Sequence, residues 1–517
     1  MKKFCFLLFS IIVSPTVFAQ TMLDNTFSAD GKVNTAIGLY GDMVSGGTLQ
    51  PDGKILVVGN GNDDAYQFYR PVISRYNTDG TLDNTFYGTG KHAYELPFYG
   101  HEYAYSPVVL DSGKILLPFS KPAGFWGFML TRLNSNGTID SSFGTDGIAR
   151  NEVQRNVREV ACAVQTDGKI VLAGSLDNLF PATGTGFFAA RFNADGTVDS
   201  TFNGTGYMEN DLNSSPGSYL RDLLIDGNGN IFLIGSSIQT INKGVVMSVA
   251  SNGSLNNNFD TDGILYYDHN NVFTTFNGAT LYSGDILIAG ITNYSGTNDS
   301  LMGLVVRLNT DGTFDNTLNG TGKKEINTQN FDVTYGITSD ADNKIVLGGS
   351  SGPDYLNEGI TFYRLNADGT FDNSFNGSGT FRFLWGSASN LSDVVVQPDG
   401  KIVGIGQVSG VNNSYYELAA VRIHASGAST SIADNSKLKN ISVYPNPFSG
   451  SIAISNLTPA TSNTMVEIFD ATGKRICEKM PVSAHSIIET DNWQNGLYFL
   501  HIKTETEEQT IKLIKTN

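Results

Sequence analysis

The chain has 517 residues, a formal net charge of −17, and only 16% charged residues, against about 25% in an average globular chain. Hydrophobic residues at 40% and aromatics at 11% are enough for a sizeable core, which excludes a disordered chain. The acidic surplus leaves no basic patch to neutralise phosphates and excludes a nucleic-acid binder.

Lys2 and Lys3 precede an apolar run from Phe4 to Val13, and small residues follow near Val17 and Ala19. A basic start, a short apolar stretch and small residues describe a secretory signal peptide, so residues 1–19 are read as a signal cleaved after Ala19. The run is too short for a permanent membrane span, and no other stretch reaches about 20 apolar residues. Cys162 and Cys477 remain after the signal and fall in different predicted domains. A disulfide-dependent secreted fold would carry a closely spaced even set, so both are expected to be small buried apolar residues.

Two motifs then alternate. The first is a hairpin, Gln50-Pro51-Asp52-Gly53-Lys54-Ile55, which recurs at Asp111, Gln165, Gly227, Tyr282, Ala341 and Gln397. An Asp-Gly or Asn-Gly pair between apolar runs supplies the positive φ of a tight turn. The second motif runs from Arg75-Tyr76-Asn77-Thr78-Asp79-Gly80 to Asp83-Asn84-Thr85-Phe86, with relatives starting at Arg132, Arg191, Ser248, Arg307 and Arg364. Its closing residue falls at Phe27, Phe86, Phe143, Phe202, Phe259, Leu318 and Phe375, in steps that alternate between 59 and 57. The copies at Ser248 and Leu318 depart from the pattern, which predicts weaker local packing there.

The ends of the array define its topology. Leu23 to Phe27 is only the second half of the motif, and the missing first half stands at Arg422 to Gly427. An open solenoid would carry polar caps instead, whereas a ring gains by closing its exposed strand edges. The prediction is all-β: a seven-bladed β-propeller over 20–427, closed by its N-terminal strand near Gly31–Thr35. In the unit at 160–209, the strands are expected at Val160–Gln165, Lys169–Gly174, Phe187–Asn193 and Gly204–Glu209, from the innermost outward. The alternation of these two motifs resembles the delta-60 repeat of bacterial secreted and surface proteins. That resemblance implies a propeller and brings no catalytic motif.

Residues 428–440 are polar and aperiodic, as in a linker. Residues 441–517 alternate as strands, with a turn at Asp470 to Lys474, and predict a small Ig-like β-sandwich. The Tyr444-Pro445-Asn446-Pro447 opening, the turn with Gly473, Gly496-Leu497-Tyr498 and the terminal Lys512 to Lys515 resemble the C-terminal sorting domain of the Bacteroidetes type IX secretion system. The resemblance implies export across the outer membrane by that machinery, to a secreted or cell-surface location, with this domain usually removed.

Candidate chemistry is sparse. Gly348 to Gly352 fits the G-x-S-x-G pattern, but a nucleophile elbow needs a strand-to-helix turn and an oriented histidine, and here the repeat places a strand end. The glycine-rich Gly88-Thr89-Gly90-Lys91 lacks the following Ser or Thr of a phosphate loop. His92, His101, His269, His424, His485 and His501 show no zinc spacing and are read as surface or loop residues. Asn77-x-Asp79-Gly80-x-x-Asp83 and its copies (Asn193, Asp195, Asp199; Asn309, Asp311, Asp315; Asn366, Asp368, Asp372) offer oxygens at calcium-like spacing. They lack the terminal bidentate glutamate of a calcium loop, so Asx turns are favoured over calcium and no cofactor is expected. The repeated arginines (Arg75, Arg132, Arg191, Arg307, Arg364, Arg422) stand opposite Asp83-type positions, as an ion pair in each blade.

The sequence therefore leads to a secreted, monomeric, non-catalytic binding or adhesion scaffold for an extracellular glycan or protein. The loops that differ most between copies, Pro122–Trp126, Leu179–Pro181 and Gly352–Tyr355, are where recognition is expected. The alternatives are a polysaccharide-acting hydrolase or lyase, which needs two carboxylates converging in the channel, and a purely structural surface protein.

Overall fold

A computed structural model describes residues 22–425 and 442–516, except 63–68, 96–101, 121–127, 152–155, 178–184, 213–216, 294–300, 330, 355–356, 412–414, 445–447, 456–464, 471–473, 482–484 and 504–507. The predicted signal, the linker and the loops at 122–126 and 179–181 lie outside the described residues. The chain divides between Gly427 and Ala428 into two compact units.

In the first unit, seven antiparallel blades follow one another, numbered here 1 to 7 along the chain. Blade 3 is representative: Asn156–Val164 is innermost, followed outward by Ile170–Asp177, Gly186–Phe192 and Tyr207–Asn210. This is the order expected from hairpin logic, with the inner strand beginning earlier than the repeat pattern indicated. Blade 7 takes three strands from Ala388–Val396, Ile402–Ser409 and Tyr416–Ile423, and its outer strand is Lys32–Thr35 from the opposite end of the chain. The inner strand of blade 1, Asp42–Leu49, packs against all three of those strands, and the ring closes.

Burial explains why the middle strands read as continuous apolar runs. All eight residues of Ile55–Asn62 are buried, because each sheet is covered on both faces by its neighbours. Seven hydrophobic clusters result, each shared by two consecutive blades. The closing aromatics Phe27, Phe86, Phe143 and Phe202 are fully buried in these seams. Phe86 lies under the motif turn of the next blade so closely that a Cβ on Gly137, at φ +89°, would sit 2.8 Å from its ring.

Between blades, the arginine works as a staple. Arg75 Nε donates to Asp83 Oδ2 at 2.7 Å and Nη2 to Thr85 Oγ1 at 3.0 Å within blade 1, while Nη1 donates to the Ser135 carbonyl of blade 2. Arg132, Arg191, Arg307, Arg364 and Arg422 reach the carbonyls of Ala194, Ser251, Ala367, Ala425 and Thr78 in the same way. In four blades the guanidinium also lies 4.5–4.9 Å over the closing phenylalanine, a cation–π contact. The pair expected within each blade thus also ties that blade to the next. Blade 4 is the exception: Ser248 stands in the arginine position and Asn256 in the aspartate position, and the two share a neutral 3.2 Å hydrogen bond. Both charges are lost together, so neither is stranded. Leu318, the other departure, is as buried as the phenylalanines it replaces.

Burial pushes the Asp24 and Asp83 carboxyls up, but hydrogen bonds from Thr26 and Thr85 and the charges of Arg422 and Arg75 outweigh it and hold both at about 2. Because these values lie below the ordinary carboxylate range, their contribution is complete above about pH 4 and is lost as pH falls through about 2.

The second unit is a sandwich. A three-stranded sheet (Ser442–Tyr444, Ser451–Ser455, His485–Glu489) faces a four-stranded one (Arg475–Pro481, Met465–Asp470, Gly496–Lys503, Glu508–Lys515). Ile452, Ile454, Val466, Ile468, Leu500 and Leu513 form the core between them.

Arg422→Ala removes the 2.7 Å partner of Asp24, whose side chain is 1% exposed, but leaves Lys401 at 3.2 Å and the Thr26 hydrogen bonds, and is expected to cost about 1.5–3 kcal/mol in guanidinium unfolding of the ring. A loss below about 1 kcal/mol would refute the staple, on the scale of an exposed ion pair. Ser248→Arg alone should destabilise blade 4, and adding Asn256→Asp should restore stability in a double-mutant cycle.

Candidate functional site: the central channel

The inner strands carry a shared irregularity. In six blades one residue is bulged out of register with the second strand: Ser45, Glu159, Arg221, Asn277, Tyr335 and Ser392. In blade 2 the inner strand breaks at the same place, between Tyr103–Ala104 and Val108–Val109, leaving Ser106. A bulge re-aims a side chain, and all seven residues line one central cavity of about 430 Å³. The ring is lopsided: blades 3 to 6 supply Glu159, Arg221, Asn277 and Tyr335, whereas blades 7, 1 and 2 supply three serines. Arg221 Nη1 stands 4.0 Å from Glu159 Oε1, and Asn277 Nδ2 donates to the Thr334 carbonyl of the next blade at 2.9 Å.

The residue after each bulge fixes how neighbouring inner strands meet. In blades 5 and 6 it is Gly278 or Gly336, where a Cβ would come within 2.4 Å of the Tyr335 carbonyl oxygen and 2.6 Å of the Val394 nitrogen. In blades 4 and 7 it is an aspartate. Asp222 accepts the Leu223 N–H and, from blade 5, the Ala279 N–H, both at 2.8 Å. Asp393 accepts the Val394 N–H at 2.7 Å, and the Gly47 N–H of blade 1 also bonds it. Both carboxylates are partly buried and line the channel cavity. Burial pushes Asp222 up to about 6 against its two backbone hydrogen bonds. It pushes Asp393 up to about 7, with the charge of Asp222 adding to the effect.

Neither aspartate stood out in the sequence, because the repeat register gives no sign of a bulge. The loop candidates divide. Gly352 ends a strand, Pro353 and Asp354 follow it, and Tyr355 lies outside the described residues.

The oxygens of the Asn-x-Asp-Gly loops are turned inward. Asp79 Oδ1 accepts from the Thr81 N–H at 2.9 Å and its hydroxyl at 2.7 Å, and Asn77 Nδ2 donates to Thr81 Oγ1 at 3.0 Å. The copies at Asp195, Asp311 and Asp368 repeat the arrangement, which is the Asx turn. Among the described residues, no group of three or more His, Cys, Asp or Glu is placed to hold a metal ion. Gly348 to Gly352 lies inside the strand Ile345–Gly352, so it makes no elbow. Gly88 and Gly90 are turn residues at φ +78° and +79°. Cys162 is buried, and burial pushes its thiol up to about 12. Two histidines are more than loose surface groups. His92 stacks on Tyr87 with centroids 3.3 Å apart, and His269 bridges the Tyr267 hydroxyl and Glu325 at 2.7 and 2.6 Å.

In the second unit, Pro445, Asn446, Pro447 and Gly473 lie outside the described residues, and Tyr444 ends the strand Ser442–Tyr444. Gly496 opens the strand that carries Tyr498, whose hydroxyl donates to the Gln494 carbonyl at 2.6 Å. Lys512 pairs in register with Phe499. Lys515 is buried, bonds the Ser449 carbonyl and lies 5.5 Å over the Phe448 ring. The Phe448 N–H donates to the Ile514 carbonyl and the Thr516 N–H to the Phe448 carbonyl. The chain just after the Tyr444–Pro447 opening is therefore bonded to the terminal strand.

The DUF5122 beta-propeller, a domain of unknown function, matches residues 50–86, 113–143, 165–202, 283–318, 341–375 and 397–428, and a secretion system C-terminal sorting domain matches 442–516. The chain carries DUF5122 β-propeller repeats and a secretion sorting tail. The one repeat unit without a match, between 202 and 283, is the degenerate blade 4. The DUF5122 ring is similar to a catalytically inactive variant of virginiamycin B lyase from Staphylococcus aureus with quinupristin, at 13% identity and TM-score 0.44 over 75% of this chain and 98% of that one. It is also similar to the polysaccharide lyase Uly1, at 10% and 0.42 over 76% and 91%. A third is a protein of unknown function from Dyadobacter fermentans, at 12% and 0.38 over 76% and 99%. No curated protein matches the chain. The sorting tail marks export by type IX secretion to the cell surface or extracellular space, and no described helix is long and apolar enough to cross a membrane.

Asp222 and Asp393 are raised above their unfolded values, so their effect has the opposite sign to that of the staples. Stability should fall as pH rises from about 4 to about 7, and Asp393→Asn should flatten that fall in denaturation midpoints measured across pH. A slope unchanged in the variant would contradict the assignment. Excess chelator is expected to leave the melting midpoint of the ring unchanged, and a chelator-sensitive midpoint would place ions in the Asx loops.

Proposed function

We propose that the protein is an exported, non-catalytic binding scaffold whose ligand, a glycan or a protein segment, enters the mouth of the central channel. The observation that supports this reading is the ring of bulged residues. A nearly uniform frame presents seven side chains at one level around a single cavity, and blades 3 to 6 each contribute a different chemistry. Concave sites with a few convergent polar groups on a rigid frame are the usual form of a ligand pocket, and export brings this one into contact with extracellular material.

A hydrolase or lyase is the second reading, because Asp222 and Asp393 share the cavity and both hold protons unusually tightly. Against it, the bonds from Leu223 and Ala279 occupy both oxygens of Asp222, a geometry that suits a strand brace better than a proton donor free to meet substrate.

Arrays of glycans and extracellular proteins, probed with the purified chain, test the proposal. Arg221→Ala and Tyr335→Ala are expected to weaken binding at least tenfold without lowering the melting midpoint. Undiminished binding in both would move the site off the channel. Release of polysaccharide fragments that stops in Asp222→Asn or Asp393→Asn would replace the scaffold with an enzyme.

A further inference from the structure

Exposed large apolar side chains gather where the ring closes. Leu39, Tyr40 and Met43 lie at the entry to blade 1, and Val411, Tyr415 and Tyr416 lie at the connection between the second and third strands of blade 7. The two groups meet. The Tyr40 and Tyr415 rings stand edge to face with centroids 6.2 Å apart, and a Cβ on Gly41 would lie 3.2 Å from Tyr415 Cβ. The three tyrosines keep 48%, 45% and 39% of their surface exposed.

The segments that form the patch carry little charge of their own, and two lysines border them: Lys91 Nζ donates to the Ala36 carbonyl at 2.6 Å and Lys32 Nζ lies 5.9 Å over the Trp385 ring. In residues 36–43, 384–389 and 410–416 the only charged residue is Asp42. Its carboxylate is fully buried and accepts the N–H groups of Ile37 and Gly38 at 2.7 and 2.8 Å. The patch segments are poor in charged residues for a chain of net charge −17. The patch is also continuous with the channel. Met43 precedes Ser45 by two residues on one strand, and Gln407 of blade 7 accepts the Val44 N–H at 3.0 Å. Ser392, Ser45 and Ser106 of blades 7, 1 and 2 line the channel cavity on the same blades.

We propose that an uncharged glycan chain lies across Tyr40, Tyr415 and Tyr416 and runs into the serine-lined half of the channel. The inference rests on the scaffold reading and names its ligand class. Tyrosine offers an apolar face and a wet hydroxyl, which together match a sugar ring with its C–H face and equatorial hydroxyls. Serines continue that hydrogen bonding without adding charge. In the same cavity the carboxylates Glu159, Asp222 and Asp393 outnumber the one cation, Arg221, and disfavour uronate or sulfate groups. A cavity of about 430 Å³ admits a linear chain end and not a folded protein. Exposed apolar patches of this kind mark interaction sites.

Affinity electrophoresis of the full chain in gels containing starch, a neutral β-glucan, a neutral mannan or alginate tests the proposal. Retardation is expected in at least one neutral gel and not in alginate. Tyr40→Ala and Tyr415→Ala, singly and together, should reduce it, with a loss of tenfold or more for the pair. Tyr87→Ala, an equally exposed tyrosine on a turn between the third and fourth strands of blade 1, serves as the control and should bind as the parent does. Neutral-glycan binding unchanged in the tyrosine variants overturns the inference and leaves the scaffold standing, as does binding only to alginate or to a protein on the array. Binding to nothing on gels or array overturns both.

Discussion

Each blade that carries the arginine passes a guanidinium to its neighbour, and the ring depends on that contact. The side chain satisfies a buried carboxylate in its own blade, lies in four blades over the aromatic that plugs the seam, and ends on a carbonyl of the following turn. A buried ion pair is weak evidence for stability by itself, because desolvation offsets much of its attraction. Here the spare donors of the guanidinium go to a backbone acceptor that only the adjacent blade can supply. The interaction therefore sets the spacing of neighbouring blades as well as holding them. At the closing seam Arg422 performs the same task on Asp24 and Thr78, so the two ends of the propeller chain are held by the device that holds its middle.

The inner wall solves a different problem. Seven strands converge on one axis, and in blades 5 and 6 their backbones approach too closely for a side chain at the position after the bulge. The bulge turns one residue per blade into the channel and leaves the next position to meet the neighbouring strand. Glycine there permits direct approach, and aspartate fills a wider gap by accepting the neighbour's N–H. Two carboxylates thereby face a confined volume as a by-product of closure. Their raised proton affinity follows from burial, with the charge of Asp222 adding to it at Asp393, and needs no catalytic demand.

Blade 4 shows how the repeat tolerates departure. Losing the arginine alone would strand a buried carboxylate, and the chain carries Ser248 and Asn256 together. The same seam is bridged by Asp222 on the channel side and by the Tyr267–His269–Glu325 chain on the outer strands. The sorting tail follows its own logic: the segment after its Pro-Asn-Pro opening is bonded to the last strand, and Lys515 lies buried beside Phe448.

The sequence alone determined the number of blades, the circular permutation, the turns and the pairing of Arg75 with Asp83. Each of these is written in short, repeated spacings whose hydrogen bonds span only a few residues, such as Thr81 to Asp79. It also carried the landmarks of the sorting tail. Tertiary structure alone decided what the channel contains. Whether an inner-strand residue is bulged depends on how strands crowd around the axis, which no local pattern records, so Asp222, Asp393 and Arg221 were invisible as a group. The tyrosine patch arose in the same way, because Tyr40 and Tyr415 are neighbours only once the ring has closed. Local chemistry fixes the blade, and closure of seven blades on one another creates the site.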